Sequence, residues 1–291
     1  MAKTPSRQEI TSIIPFYADP EISVKQFASL STSALHTIAH IGLHHQVVLV
    51  DDGLTLRGNV DIEHVVTTLT VKSRLGKAGA VRQGLALALR QNPKAQFFIQ
   101  SDFDGDPDPR QVTSMIKHMI KAGFNGDKPA MILGERDMAM AKAGHFSTHR
   151  QAIFELQKKF CQLLDYKQIV DPTTGLRIYT RALAKLFVKI GKSQGFGSDV
   201  EQMIIARLAN ASILPFKLRR ARKRQDYTKI IKFKDCQDAL LIHKNKLRAA
   251  GYGKVLKYFG NLDFSKDIAP ITGSSKFTLD SKAQALRGNP W

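Results

Sequence analysis

Short continuous apolar runs alternate along this chain with longer stretches in which apolar side chains recur at helical intervals. The runs at Ile10–Phe16 (ITSIIPF), in QVVLVDDGL, at Phe97–Ile99, at Ala130–Leu133 and in SILPFKL predict buried strands. Val24, Phe27, Leu30, Leu35, Ile38 and Ile41 space out a helix over 22–41. Further helices are predicted after LGKAGA (with Val81, Leu85, Leu87 and Leu89), over 110–122, over 150–164 and at ALAKLFVKI. Residues 61–67 read as a short helix, Leu69–Lys72 as a short strand, and DPTTGLRIYTR as a turn leading into another strand. A helix opens near Asp199 and Glu201, its buried side carrying Met203, Ile204 and Leu208. Residues 235–259 read as one or two basic helices, 138–149 as a loop, and 263–291 as a sparsely apolar tail. Strands alternating with helices predict an α/β sandwich around a mostly parallel sheet.

Composition narrows the class. The 291 residues, 43% hydrophobic and 24% charged, suit one large soluble domain or a domain with an extension. No run approaches the ~20 apolar residues of a membrane span, and the Lys/Arg-bearing N-terminus lacks a signal peptide's apolar core. Cys161 and Cys236 form no zinc or disulfide pattern, which fits a reducing compartment; a cytoplasmic protein is expected, with peripheral contact at the inner membrane face kept open. The net charge of +19 admits nucleic acid, an anionic membrane surface or an anionic substrate as partner.

Against that basic background, FFIQSDFDGDPDP places Asp102, Asp104, Asp106 and Asp108 just beyond an apolar strand. Carboxylates two apart at a strand exit can share a hard divalent cation, Mg²⁺ or Mn²⁺. The plainer alternative is an acidic turn in which Asp108 caps the next helix. QVVLVDDGL repeats the arrangement with Asp51 and Asp52, and ligand sites in open α/β sheets lie at such strand ends. Gly76 and Gly79, with Lys77 and Arg82 nearby, open a helix where phosphate oxygens could sit, although the Gly-Lys-Ser/Thr ending of a Walker A loop is missing. Lys217, Arg219, Arg220, Arg222, Lys223 and Arg224 follow a strand and form either a solvated face or an anion-binding loop. Asp199 and Glu201 lie in a first helical turn, where the macrodipole alone favours carboxylates. His36, His40 and His44, four apart, and the loop residues His145 and His149 read as solvated polar positions rather than ligands.

These pieces, in this order, resemble the glycosyltransferases of GT-A fold that include dolichyl- and polyprenyl-phosphate sugar transferases (family 2). IIPFYADPE is similar to that family's opening, with Ala18-Asp19 in place of Asn-Glu; VVLVDDGL to its VDDGS element, with Leu54 for Ser; LGKAGAVRQGLALAL to its glycine-lysine-glycine helix entry; and FFIQSDFDGDPDP to its Asp-X-Asp loop. DPTTGLRIYTR and GFGSDVEQMIIARLANASILPFKLRRARKR resemble the downstream elements. The resemblance implies a GT-A domain over 1–225 and a basic helical extension over 226–291.

It further implies a metal-dependent transfer, commonly with inversion, from a UDP- or GDP-sugar to a lipid-phosphate or glycan acceptor. Asp51 would hold the nucleobase and Asp52 the ribose or phosphates. Asp102 and Asp104 would flank the diphosphate with Mg²⁺ or Mn²⁺, Asp104 being the direct ligand, and Lys77, Arg219 and Arg220 would add phosphate contacts. Asp199 and Glu201 become the acid–base candidates, because an alcohol acceptor must lose a proton whereas a lipid phosphate need not. Two other readings compete. A sugar-phosphate nucleotidyltransferase would need a glycine-rich, arginine-bearing loop where Pro15-Phe16-Tyr17-Ala18 stands. A basic nucleic-acid- or membrane-binding protein on a degenerate transferase fold would, for nucleic acid, place aromatics among the cations, and Arg219–Arg224 has none.

Overall fold

The computed structural model describes residues 10–16, 46–51, 66–70, 75–101, 111–136, 148–169, 171–218 and 231–260. The helix expected over 22–41, the acidic residues 102–108, the basic run beyond Leu218 and the tail lie outside them.

Seven strands form one sheet among the described residues: β1 (Ile10–Phe16), β2 (Gln46–Asp51), β3 (Val66–Thr70), β4 (Phe97–Gln100), β5 (Ala130–Glu135), β6 (Arg177–Thr180) and β7 (Ser212–Lys217). Their spatial order is β3-β2-β1-β4-β6-β5-β7, and every pairing is parallel except those of β6 with β4 and β5. The apolar runs made these strands legible, and a mostly parallel α/β sheet is what forms. The helix expected over 61–67 is corrected at its end: Val66 and Thr67 already belong to β3, which starts earlier than Leu69. In VTTLT four of five residues are β-branched, and their restricted χ1 favours the pleated surface over a helix.

The helices are α1 (Gly76–Gln91), α2 (Val112–Lys121), α3 (Thr148–Leu163), α4 (Arg181–Ile190), α5 (Ser198–Leu208), α6 (Ile231–Ile242), α7 (Lys244–Ala249) and α8 (Gly253–Gly260). Alternation along the strands divides the core between the two sheet faces. Phe97, Ile99, Ile132 and Ile178 pack with Val112, Met115, Ile116 and Met119 of α2. Phe98, Met131, Leu133 and Tyr179 face the other way, into a larger core built with α1, α3, α4 and α5. Ala239, Leu240, Leu247, Val255 and Phe259 of α6–α8 belong to that same larger core. One side of the basic C-terminal helices is therefore part of the domain's larger core.

Because β1, β2 and β3 step one way and the chain then returns to place β4 on the other side of β1, strand order reverses between β1 and β4. The crevice beyond the carboxyl ends at such a reversal is where open α/β sheets bind ligands.

Candidate functional site

The carboxyl edge of the sheet gathers an unusual amount of buried polar chemistry. Asp51 ends β2 and pairs with Phe16 at the end of β1, while Gln100 ends β4 beside Ile13 on β1's other flank. Asp51 and the start of the 102–108 acidic segment thus leave the sheet at one edge, separated by a single strand. Asp52, Asp102, Asp104, Arg219 and Arg220 lie outside the described residues; Gln100 and the buried Ser101 mark where the acidic segment departs, and Leu218 where the basic run departs.

Arg177 is the hub. It opens the antiparallel β6, so its position is at the carboxyl edge, opposite Gln100 and Leu133. Fully buried, it directs its N–H groups to the Thr174 carbonyl (3.2 Å), the Pro172 carbonyl (2.7 Å), the Asp199 carbonyl (3.2 Å) and Gln202 Oε1 (2.7 Å). Its Nη2 also lies 3.3 Å from Asp199 Oδ1, an ion pair added to these four hydrogen bonds. Lys77 Nζ, from the first turn of α1, approaches the same Asp199 oxygen at 3.6 Å. A cation in a first helical turn opposes the macrodipole, and the Asp199 carboxylate offsets it. Lys77, Asp199 and Arg177 hence form one charged cluster at the carboxyl edge.

Behind it stands a neutral network. Gln202 Nε2 donates to Gln100 Oε1 (2.9 Å), and the Tyr179 hydroxyl lies within hydrogen-bond reach of both Gln100 Oε1 and Gln202 Oε1. These contacts fix the orientation of the Gln100 amide, since a flipped amide would set two NH₂ groups against each other. Gln100 Nε2 is left as a fully buried donor with no acceptor among the described residues. Farther along the edge, Arg136 at the end of β5 grips Asp171 bidentately, Nε to Oδ2 (2.6 Å) and Nη2 to Oδ1 (2.9 Å). Burial alone would raise the Asp171 pKa, but the Arg136 charge and hydrogen bonds from Arg136 and Thr173 hold it below the ordinary carboxylate range.

Glu201 and Asp199, paired by the sequence as acid–base candidates, are separated by the structure. Glu201 is 5% exposed, and its Oε1 accepts from Lys192 N (2.7 Å), Ser193 N (2.9 Å) and His243 Nε2 (2.9 Å), its Oε2 from Ser193 Oγ (2.6 Å). Burial opposes its ionisation, yet the hydrogen bonds from His243, Lys192 and Ser193 outweigh that and lower its pKa to about 2. A carboxylate so committed braces the 191–194 turn. Asp199, partly exposed, is the one of the two that faces the charged cluster.

The glycine turn is also used differently from a phosphate cradle. Gly76 has φ +67°, and a Cβ there would come within 2.5 Å of Gly195 Cα. Gly195 N donates to the Leu75 carbonyl (3.2 Å), so backbone of the short 3₁₀ turn at 195–197 covers this glycine. Gly79 is covered as well, by the Leu75 side chain. These glycines serve close chain approach rather than an open anion nest.

Arg177, Gln100, Gln202, Tyr179 and His243 were not singled out by the sequence. Arg177 and Tyr179 carried a signal, since an Arg inside an apolar strand (LRIYT) is rarely buried without a partner set. His243 lay in a helix that read only as basic. For metal, no group of three or more His, Cys, Asp or Glu among the described residues could hold an ion. The donor set of Asp102 and Asp104, carboxylates without thiolate or imidazole beside them, suits a hard divalent cation.

No helix among the described residues is long and apolar enough to cross a membrane. No protein-family model matches the chain, and no curated protein does. Among solved structures, CMP-2-keto-3-deoxy-manno-octonic acid synthetase complexed with CTP is similar at a TM-score of 0.48 and 11% identity, over 81% of this chain and 99% of that one.

Proposed function

We propose that the chain is a glycosyltransferase that takes a sugar from a UDP- or GDP-sugar at the carboxyl edge of its sheet. The observation that carries this reading is the flanking of β1 by Asp51 at the end of β2 and by the β4 exit into Asp102 and Asp104. Two acidic strand exits at a topological reversal suit a nucleoside held by one and its diphosphate by the other. Asp51 contacts the base and Asp52 the ribose or phosphates; Lys77, Arg219 and Arg220 neutralise phosphate oxygens. Mg²⁺ or Mn²⁺ held by Asp102 and Asp104 would stabilise the charge that develops on the leaving diphosphate. Gln100 Nε2, which meets no acceptor among the described residues, is suited to an oxygen-rich neighbour at the same exit.

In the transfer, an acceptor oxygen bonds to the anomeric carbon while the sugar–phosphate bond breaks and its electron pair leaves with the nucleoside diphosphate. With an alcohol acceptor such as a glycan hydroxyl, Asp199 takes the proton. With a lipid-phosphate acceptor no proton need move, and Asp199 instead positions Lys77 and Arg177.

Calorimetric titration of UDP and of GDP, each with and without Mn²⁺ at about 150 mM salt, tests the reading under near-physiological screening. Binding of one nucleotide that requires metal and is lost in Asp104→Ala supports it and names the donor. Binding of neither, or binding indifferent to metal, refutes it.

A further inference from the structure

The large apolar side chains that stand exposed among the described residues are Leu241, Ile242 and Tyr258, at 46%, 43% and 42%, and all three lie on the C-terminal helices. Single exposed apolar residues are ordinary on protein surfaces. Their confinement to one 30-residue segment, 231–260, is not. Leu241 sits one turn beyond Gln237, whose Nε2 donates to the Phe259 carbonyl (3.2 Å), next to Tyr258. This bond ties α6 to α8, the two helices that carry the exposed apolar groups.

The same helices turn cations outward. Lys234, Lys244, Lys246, Arg248, Lys254 and Lys257 are exposed, against a single exposed acid in the segment, Asp238. The opposite side of these helices is fixed in the core through Ala239, Leu240, Leu247, Val255 and Phe259. The outward face is therefore presented by a rigid scaffold. Exposed apolar tips on the same helices as exposed lysines match a surface that is negatively charged outside and oily just beneath it. Single-stranded nucleic acid would instead favour a series of stacking platforms, and of the three exposed tips only Tyr258 is aromatic.

We propose that the outer face of α6–α8 docks on an anionic lipid bilayer, with Leu241, Ile242 and Tyr258 entering the headgroup boundary and the lysines meeting lipid phosphates. This reading does not rest on the proposed nucleotide site.

The full-length chain is sedimented with vesicles of phosphatidylcholine alone and of phosphatidylcholine containing about one third phosphatidylglycerol, at low and high salt. Binding is expected only to the anionic vesicles and weakens as salt rises. The pairs Leu241→Gln/Ile242→Gln and Lys254→Gln/Lys257→Gln each lower partitioning by at least ~10-fold while the thermal midpoint stays near wild type. No binding to anionic vesicles, or binding that both pairs leave unchanged, overturns the proposal. So does a single-stranded oligonucleotide that strips the chain from vesicles and binds the Leu241→Gln/Ile242→Gln pair as tightly as wild type. Nucleotide titration of the same variants reads the sugar-donor site separately, so failure of one proposal is visible without the other.

Discussion

His243 Nε2 lies 2.9 Å from Glu201 Oε1, in a hydrogen bond that joins the turn after α6 to the first turn of α5 across 42 residues. Both side chains are buried, at 3% and 5% exposure. Through Glu201 the same bond reaches Lys192 and Ser193, so three segments meet on one carboxylate.

Replacing that carboxylate should loosen all three. Glu201→Gln is expected to destabilise the fold by about 3 kcal/mol, because the donors it satisfies are left buried with a weaker acceptor. The pH dependence has a defined sign. A carboxyl held down to about 2 against an ordinary 4.5 contributes its full stability above about 4.5 and loses it as pH falls toward 2. Urea midpoints of wild type and Glu201→Gln should therefore converge over that window; a constant gap down to pH 2 would refute the account.

Asp199 should behave oppositely. Asp199→Asn keeps a side-chain oxygen toward Arg177, so the melting temperature is expected to shift less than in Glu201→Gln. If the acceptor is an alcohol, turnover falls by at least ~100-fold, as loss of a general base does. If the acceptor is a phosphate, the fall is a few-fold and appears mainly in KM. Equal loss of stability in both variants would remove the distinction drawn between them.

Gly195 has φ +61°, and a Cβ there would collide with the Asp235 carboxylate. Gly195→Ala is expected to cost about 2 kcal/mol, combining left-handed backbone strain with displacement of the Asp235 carboxylate. Gly123→Ala, at φ +86° but with open space around it, should cost only the backbone part. Chemical denaturation of the two variants separates these terms.

Cys161 is buried, and desolvation pushes its thiol up to about 12. It should resist a thiol-specific reagent at neutral pH in the folded chain, leaving Cys236, which is half-buried, as the site of any labelling. Full reaction of both cysteines should require denaturant; rapid native labelling of Cys161 would contradict the packing.

Strands were readable because they are buried on both faces: FFI and AMIL have no polar position to obscure them. β6 was harder, since Arg177 interrupts its apolar pattern and only its partner set, contributed by Pro172, Thr174, Asp199 and Gln202, explains its burial. Sequence spacing places Asp199 and Glu201 in one helical turn and offers them one role. Their division is a tertiary fact: one meets Lys77 and Arg177, the other meets His243. The C-terminal helices read as basic because cations dominate their composition, and small groups such as Ala239 gave no hint of a place in the core.

The reversed direction of β6 has one more consequence. A strand parallel to its neighbours is entered from the edge opposite the site, so its preceding connection must cross the sheet. β6 is entered at the carboxyl edge, where β5 leaves off, and the chain from Arg136 to Arg177 departs and returns on the same side. Such a segment is an insertion point. Residues added to it outside α3, which the core holds through Phe160 and Cys161, alter no strand register, and each doubling of a flexible loop adds only about 0.6 kcal/mol of closure cost. The chain can thus lengthen at this connection while the order and pairing of the seven strands stay as they are.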